Sequence, residues 1–150
     1  MLVSYVLIKM NKRYHLIGIG GIGMSGIAQL LLRKGFKVSG SDLKESKITG
    51  QLKELGADIF IGHNALNIKG ADLIVYSTAI KDDNPEIKEA KTRGIPLLKR
   101  AQALSGLMQD ETVITVTGSH GKTTTASLVS YLLLRAGLCP TVAVGGVLRT

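Results

Sequence analysis

Two glycine-rich loops in this chain have the residue types needed to hold phosphate groups. The first contains Gly18, Gly20, Gly21 and Gly23, and the second spans residues 117–124 and ends in Gly-Lys-Thr-Thr. Both follow an apolar run typical of a buried strand, and both precede a segment typical of a helix. A helix N-terminus presents unpaired amides and the positive end of a dipole, so each loop could bind phosphate oxygens. The pair predicts two phosphate-bearing ligands, as an enzyme that uses a nucleoside triphosphate on a nucleotide-linked substrate would need.

The first loop fits the pattern G-x-G-x-x-G through Gly18, Gly20 and Gly23, with Gly21 added. In this pattern the first glycine allows a tight turn, the second lets the backbone approach a diphosphate, and the third lets the helix pack on the strand. Asp42 ends the next predicted strand, where its carboxylate could accept hydrogen bonds from ribose hydroxyls. These features predict a nucleotide site, and both a UDP-sugar and a dinucleotide such as NAD fit it.

The second loop is more specific. The order of residues in this loop would place backbone amides around a triphosphate. Lys122 would reach the terminal phosphates, and the Thr123 hydroxyl would reach a magnesium ion. Val116 stands where the full G-x-x-x-x-G-K-[ST] pattern has its first glycine. Lys122 and His120 are the predicted catalytic residues of this loop, and the role of His120 stays open. The predicted nucleotide-binding set is Gly118, Ser119, Gly121, Lys122, Thr123 and Thr124.

Two further groups follow predicted strands at the carboxyl edge of the sheet, where open α/β folds bind ligands. One is Ser77, Thr78, Ala79 and Ile80, and the other is His63. A hydroxyl-rich turn and a surface histidine are the plain alternatives, so the sequence leaves both groups open as ligand contacts.

Composition narrows the function classes. The 150 residues carry a net charge of +8, with 45% hydrophobic and only 4% aromatic residues. The basic residues are scattered and aromatic stacking platforms are scarce, so we expect anionic small ligands and no nucleic acid. The lone Cys139 excludes an internal disulfide and fits a reducing cytoplasm. The apolar run of residues 1–8 is too short to span a membrane.

Apolar segments with strand and helix character alternate along the chain with short connections. This pattern predicts an α/β fold with a Rossmann-like parallel sheet domain, followed by the first β-α-β unit of a P-loop ATPase domain. The predicted domains are an extension at 1–13, a Rossmann-like nucleotide-binding domain at 14–108, which would be UDP-binding by the resemblance described below, a linker at 109–111 and a truncated ATP-binding domain at 112–150. Predicted strands span 14–19, 36–40, 58–61, 71–77, 95–98, 112–117 and 141–144, and predicted helices include 24–34, 47–55, 101–108 and 122–136.

Four sequence runs together resemble the Mur ligases. They are GIGGIGMSG at 18–26, SGSD at 39–42, STAI at 77–80 and TGSHGKTTT at 117–125. The first run and His120 favour the alanine-adding member of that family. A murein-peptide recycling ligase of the same family is the alternative, together with an isolated NAD-type module.

The resemblance implies an ATP- and Mg²⁺-dependent ligase that joins L-alanine to UDP-N-acetylmuramate through an acyl phosphate, in cytoplasmic peptidoglycan precursor synthesis. Lys122 would neutralise the β- and γ-phosphates of ATP, and Thr123 would bind the magnesium ion. The residues facing the UDP diphosphate would be Gly20, Gly21, Ile22 and Gly23, and those around the uridine would be Asp42, His63, Ser77, Thr78, Ala79 and Ile80.

The family has a central ATPase domain and a C-terminal domain that extend well past the position of Thr150. We therefore expect the chain to be a fragment that binds the UDP-substrate without ligating it. Its second half leaves apolar faces uncovered and could self-associate.

Overall fold

The computed structural model describes residues 12–109, 111–142 and 144. The chain divides into two compact units, Met1–Asp110 and Glu111–Thr150.

The first unit is built on one sheet of five parallel strands, as the alternating pattern predicts. The strands are β1 (Arg13–Ile17), β2 (Lys37–Asp42), β3 (Asp58–Ile61), β4 (Leu73–Tyr76) and β5 (Leu97–Lys99). Their order in the sheet is β3-β2-β1-β4-β5, so the chain adds β2 and β3 on one side of β1 and then β4 and β5 on the other. In open α/β sheets ligands bind at this switch point between β1 and β4, outside the carboxyl ends of the strands.

Helices connect the strands, and local capping explains where they begin. The second helix starts after Ser46, whose hydroxyl accepts from the Thr49 amide while the Thr49 hydroxyl accepts from the Ser46 amide. The third follows Asn84, whose side chain caps the first turn ahead of Pro85. The helices of this unit are α1 (Ile22–Arg33), α2 (Lys47–Glu54), α3 (Pro85–Thr92) and α4 (Arg100–Leu107).

The strands are buried on both faces. Leu16 and Val75 belong to one apolar cluster with α1, whereas Ile17 and Ile74 belong to a second cluster with α3. Neighbouring residues of a strand point to opposite faces, so this alternation places one cluster on each side of the sheet. The sheet therefore lies between two apolar layers, and its carboxyl edge can position ligand-binding loops.

Most predicted elements of this unit are confirmed with shifts of one or two residues at their ends. The prediction missed a short 3-10 helix, Ala65–Ile68, which Asn64 caps through its side chain. Nearly all of the predicted extension, residues 1–11, and residue 110 of the predicted linker lie outside the described residues.

The second unit differs more from the prediction. The helix predicted at 122–136 is present as α5 (Lys122–Arg135), but the strand predicted at 112–117 is wrong. A strand exists only through ladder hydrogen bonds to a neighbour, and no described residue of this unit supplies one. Thr141, Val142 and Val144 of the other predicted strand are also non-strand, while residue 143 lies outside the described residues. In the described part of this unit, the predicted β-α-β unit is thus a loop and a helix.

None of the helices in the described part of the chain is long and apolar enough to cross a membrane.

Candidate functional site

The first glycine loop joins β1 to α1 and is anchored on β2. The amides of Gly18 and Ile19 both donate to the carbonyl oxygen of Ser41, at 2.8 and 3.0 Å. Gly18 has a φ of +76°, a left-handed conformation that favours glycine. The amides of Ile22 and Gly23, in the first turn of α1, have no acceptor among the described residues. The loop therefore presents two free amides at a helix N-terminus, an arrangement that suits an anion.

Asp42 reaches this loop directly. Its Oδ2 atom accepts a hydrogen bond from the Gly20 amide at 2.8 Å, and its backbone carbonyl accepts one from Gly62 at 2.7 Å. Asp42 thus ties the glycine loop to the segment that follows β3. Two of the predicted site residues, Gly20 and Asp42, are brought together by this contact.

The turn after β4 lies on the other side of the loop. A β-carbon added to Gly18 would lie 3.6 Å from Cδ1 of Ile80, so this side chain borders the glycine loop. The Ser77 carbonyl accepts from the Ile80 amide at 3.1 Å and closes the turn. Thr78 and Ala79 are exposed within it. Of the four predicted residues in this turn, Ile80 has the described contact with the loop.

Arg100 is a cation at the same edge of the sheet, and it is not among the site residues predicted from the sequence. It begins α4 directly after β5, and a β-carbon added to Gly23 would lie 2.6 Å from its Nη1 atom. No described residue forms a hydrogen bond or ion pair with its guanidinium. The only sequence signal was its position after a predicted strand. The guanidinium therefore packs against Gly23, one of the two residues whose amides are free.

A buried polar cluster stands behind the carboxyl edge, centred on Glu86 of α3. The Glu86 side chain is 0% exposed, and its Oε2 accepts from the Ser41 hydroxyl at 2.7 Å and lies 3.0 Å from Nδ1 of His63. Its Oε1 accepts from the Asn67 amide at 2.7 Å. Nε2 of His15 lies 3.6 Å from Oε1, just beyond hydrogen-bonding distance.

The environment of Glu86 favours its charged form. Burial alone would raise the pKa of the carboxyl, but the polar groups around it outweigh burial and hold the pKa below its ordinary value. These groups belong to His15, Ser41 and Asn67. The first-turn position of Glu86 in α3 adds the favourable end of the helix dipole.

Apart from His63 at its edge, this cluster was not predicted from the sequence. Asn84, Pro85 and Glu86 also have the pattern of a helix N-cap followed by a first-turn proline and a first-turn acid, which gives Glu86 a plain local explanation. The available signal was His15 and Ser41, polar residues inside strands that the pattern predicts to be buried on both faces. A buried polar side chain in such a strand needs a partner, and Glu86 supplies one for Ser41.

The second glycine loop lies in the second unit, immediately before α5. Gly121 has a φ of +76° and forms the N-cap of the helix. The ammonium of Lys122 is folded back onto its own loop, where the carbonyl oxygens of Gly118 and Ser119 accept from it at 2.5 and 3.1 Å. The remaining predicted residues, Ser119, His120, Thr123 and Thr124, are exposed at the same helix end.

No group of three or more His, Cys, Asp or Glu side chains in the described ranges could hold a metal ion. Thr123, the predicted magnesium ligand, therefore has no cluster of acidic side chains around it in the described part of the chain. It fits magnesium only in the manner of nucleotide sites, where phosphate oxygens and water supply most of the coordination.

Comparison with known proteins identifies the class. Residues 13–112 match the Mur ligase family, catalytic domain, and the chain belongs to the Mur ligase family. It is 56% identical over 138 residues to the UDP-N-acetylmuramate–L-alanine ligase of Aquifex aeolicus, covering 92% of this chain and 30% of that protein. The corresponding ligase of Geotalea daltonii is 50% identical over 139 residues, 93% of this chain and 30% of that protein. The predicted resemblance to alanine-adding ligases is confirmed.

Solved structures agree with the fold. The UDP-N-acetylmuramate–alanine ligase of Thermotoga maritima is 36% identical with a TM-score of 0.80, over 85% of this chain and 30% of that one. A UDP-N-acetylmuramate:L-alanyl-γ-D-glutamyl-meso-diaminopimelate ligase from Neisseria meningitides has the same identity and TM-score, over 87% of this chain and 41% of that one. The chain spans 30% of the length of the curated relatives it matches.

Proposed function

We propose that the first unit binds the UDP part of UDP-N-acetylmuramate. The observation that carries this is the contact between Gly23 of the glycine loop and the guanidinium of Arg100. Among the described residues, neither this guanidinium nor the amides of Ile22 and Gly23 have a hydrogen-bond partner. Together they would hold the diphosphate, since amides at a helix N-terminus and an arginine fork both suit phosphate oxygens. Asp42, at the end of β2, would accept from the ribose hydroxyls.

The rest of the uridine site is proposed on the same edge. Gly20 and Gly21 would face the diphosphate with Ile22 and Gly23. His63 would lie toward the uridine, because it follows β3, the strand next to β2. The turn of Ser77, Thr78, Ala79 and Ile80 would close the other side, since Ile80 borders the loop.

We propose that the second loop binds ATP. The backbone amides that would bind the phosphates are those of Gly118, Ser119, Gly121 and Thr124. The Lys122 ammonium, which now donates to carbonyl oxygens of its own loop, would donate to the β- and γ-phosphates instead. Thr123 would bind the magnesium ion, which neutralises phosphate charge when present. His120 is exposed in the loop and is proposed as a catalytic residue with Lys122.

The proposed reaction is amide formation driven by ATP. The lactyl carboxylate oxygen of UDP-N-acetylmuramate attacks the γ-phosphorus, which forms an acyl phosphate and releases ADP. The alanine amine then attacks the acyl carbon, loses a proton and expels inorganic phosphate. Lys122 acts by stabilising charge on the transferring phosphoryl group.

The free, exposed Cys139 suits a reducing cytoplasm, which we propose as the compartment.

A second candidate is a murein-peptide recycling ligase, which is favoured by the equal structural similarity to the Neisseria meningitides enzyme. Both candidates use the same UDP site. They differ in the amine, which is alanine in one and a peptide in the other.

We also propose that the second unit self-associates. Several large apolar side chains of α5 and its flanking segments are exposed, and uncovered apolar patches of this kind mark interaction surfaces. They include Val113, Ile114, Leu128, Tyr131, Leu132, Leu134 and Leu138. Sedimentation of the chain over a range of concentrations tests this, and a constant monomer mass would contradict it.

The UDP assignment is tested by a matched pair of substitutions. Gly21 has an extended backbone that valine can adopt, and its β-carbon would meet only the Gly18 carbonyl, at 3.3 Å. We expect Gly21→Val to fold and to weaken UDP binding about tenfold or more, because the branched side chain occupies the diphosphate position. Gly26→Val, where a β-carbon meets nothing within 4 Å, is the control. Calorimetric titration with UDP measures both, and unchanged binding in Gly21→Val would show that the loop is not the UDP site.

A further inference from the structure

The hydrogen positions in the Glu86 cluster follow from counting donors. An ionised carboxylate only accepts, so the single hydroxyl hydrogen of Ser41 is donated to Glu86 at 2.7 Å. The Ser41 oxygen then has only lone pairs to offer Nδ1 of His63, at 3.0 Å. Glu86 likewise offers only lone pairs to the same nitrogen, at 3.0 Å. Nδ1 of His63 must therefore carry a hydrogen.

The other ring nitrogen of His63 is left for a ligand. Nε2 has no hydrogen-bond partner among the described residues, and the side chain, 13% exposed, reaches the surface. With its hydrogen on Nδ1, a neutral imidazole presents a lone pair at Nε2 and acts there as an acceptor.

The position of His63 suits the base of a nucleotide. The glycine loop follows β1, Asp42 ends β2, and His63 follows β3, and these three strands are neighbours in that order. Gly62 ties the His63 segment to Asp42 through a 2.7 Å backbone hydrogen bond. A UDP molecule with its diphosphate on the loop and its ribose at Asp42 would extend its uracil toward His63.

We propose that Glu86 is a positioning residue that holds His63 with its hydrogen on Nδ1, so that Nε2 accepts the N3–H hydrogen of uracil. This inference rests on the proposed binding of UDP. It also predicts base selection. Uracil carries a hydrogen on N3, whereas cytosine has a lone pair there, so UDP should bind more tightly than CDP.

The first test reads the hydrogen position without any ligand. Nitrogen-15 NMR of the imidazole side chains in the 150-residue chain should show the hydrogen of His63 on Nδ1. The Glu86→Gln variant, which can donate to that nitrogen, should reduce this preference. A hydrogen on Nε2 of His63 in the unsubstituted chain overturns the inference even if UDP binds.

The second test is a double-mutant cycle on UDP affinity. Glu86→Gln and His63→Ala should each weaken UDP binding about tenfold, the size of one lost hydrogen bond to an oriented group. Neither should weaken CDP binding, because the lone pair on N3 of cytosine gives Nε2 of His63 no hydrogen to accept. The double variant should bind UDP no more weakly than His63→Ala alone, because Glu86 acts only through His63. A merely structural role would weaken UDP and CDP alike and would add to the His63 effect, and either result overturns the inference.

A matched control separates stability from positioning. Ser39→Ala removes the 3.0 Å contact between the Ser39 hydroxyl and Nδ1 of His15, in the same buried layer, without touching His63. It should bind UDP like the unsubstituted chain. If Glu86→Gln fails to fold, Ser41→Ala removes the other partner of His63 and should also weaken UDP relative to CDP. If the unsubstituted chain does not bind UDP, the proposed function itself is overturned. If it binds UDP and the Glu86→Gln variant binds equally well, only this inference is overturned.

Discussion

The carboxylate of Asp42 accepts a hydrogen bond from the backbone amide of Gly20 at 2.8 Å. This contact joins the end of β2 to the glycine loop, so a single side chain links the proposed diphosphate and ribose positions. A β-carbon on Gly20 would lie 2.9 Å from the same carboxylate oxygen, so a side chain at this position would push the Asp42 carboxylate away from the loop.

Replacing Asp42 should separate ribose binding from phosphate binding. We expect Asp42→Ala to weaken UDP binding about tenfold, because the ribose hydroxyls lose a charged acceptor. Inorganic pyrophosphate should bind no more weakly, because the Gly20 amide is released. Asp58→Ala, at an exposed carboxylate that begins β3 and so lies at the opposite end of the sheet, is the control. Equal loss of UDP and pyrophosphate affinity would show that Asp42 only supports the loop.

Arg100 should contribute charge at the diphosphate. We expect Arg100→Ala to weaken both UDP and pyrophosphate about tenfold at low salt, with a smaller effect as salt rises, because exposed charge interactions are screened. Arg33→Ala, an exposed arginine in the last turn of α1, leaves the loop untouched and should have little effect. Titrations at two salt concentrations check this, and equal behaviour of the two variants would remove Arg100 from the site.

Gly40 is required by packing in the middle of β2. A β-carbon there would lie 2.5 Å from Cδ1 of Ile19 and 2.7 Å from the carbonyl oxygen of Leu16. Gly40→Ala should therefore lower the free energy of unfolding by about 1–3 kcal/mol.

The matched control for Gly40 is Gly50→Ala. Gly50 lies within α2, and its added β-carbon would meet nothing within 4 Å. Alanine there should raise the free energy of unfolding by up to about 1 kcal/mol, because glycine is a poor helix former. Urea unfolding of both variants is the measurement. A Gly40→Ala protein as stable as the unsubstituted chain would contradict the close approach of Gly40 to Ile19.

Glu86 should make stability depend on acid pH. Its pKa in the folded chain is below the ordinary value of 4.5. The carboxylate therefore stabilises the fold fully above pH 4.5, and this contribution is lost as the pH falls through the folded-state pKa. We expect the difference in free energy of unfolding between the unsubstituted chain and Glu86→Gln to shrink as the pH falls from 6 to 3, in line with this linkage. A difference that stays constant across this range would show that the charge of Glu86 does not matter.

Local patterns predict the first unit well and its long-range contacts poorly. The apolar runs around Leu16 and Ile74 and the glycine loop are local signals, and the structure places strands and a helix start there. The Ser41–Glu86 contact joins residues 45 positions apart, and the His63–Glu86 contact spans 23. No sequence pattern near Glu86 predicts these partners, because only the tertiary fold brings them together.

The wrongly predicted strand at 112–117 has a related cause. Val113 and Ile114 have the apolar, β-branched character of strand residues, and both are exposed in the structure. Strand propensity expresses how well a side chain fits a paired and half-buried surface. Without a paired neighbour among the described residues, the same residues form no strand.

The central claim is that the first unit is a UDP-substrate site and not a dinucleotide site, and one titration tests it most directly. The 150-residue chain is titrated in parallel with UDP-N-acetylmuramate and with NADH, with heat as the readout. We predict saturable binding of UDP-N-acetylmuramate at one site, weakened by Gly21→Val, and no comparable affinity for NADH. Tight binding of NADH with no response to the UDP-substrate would contradict the account.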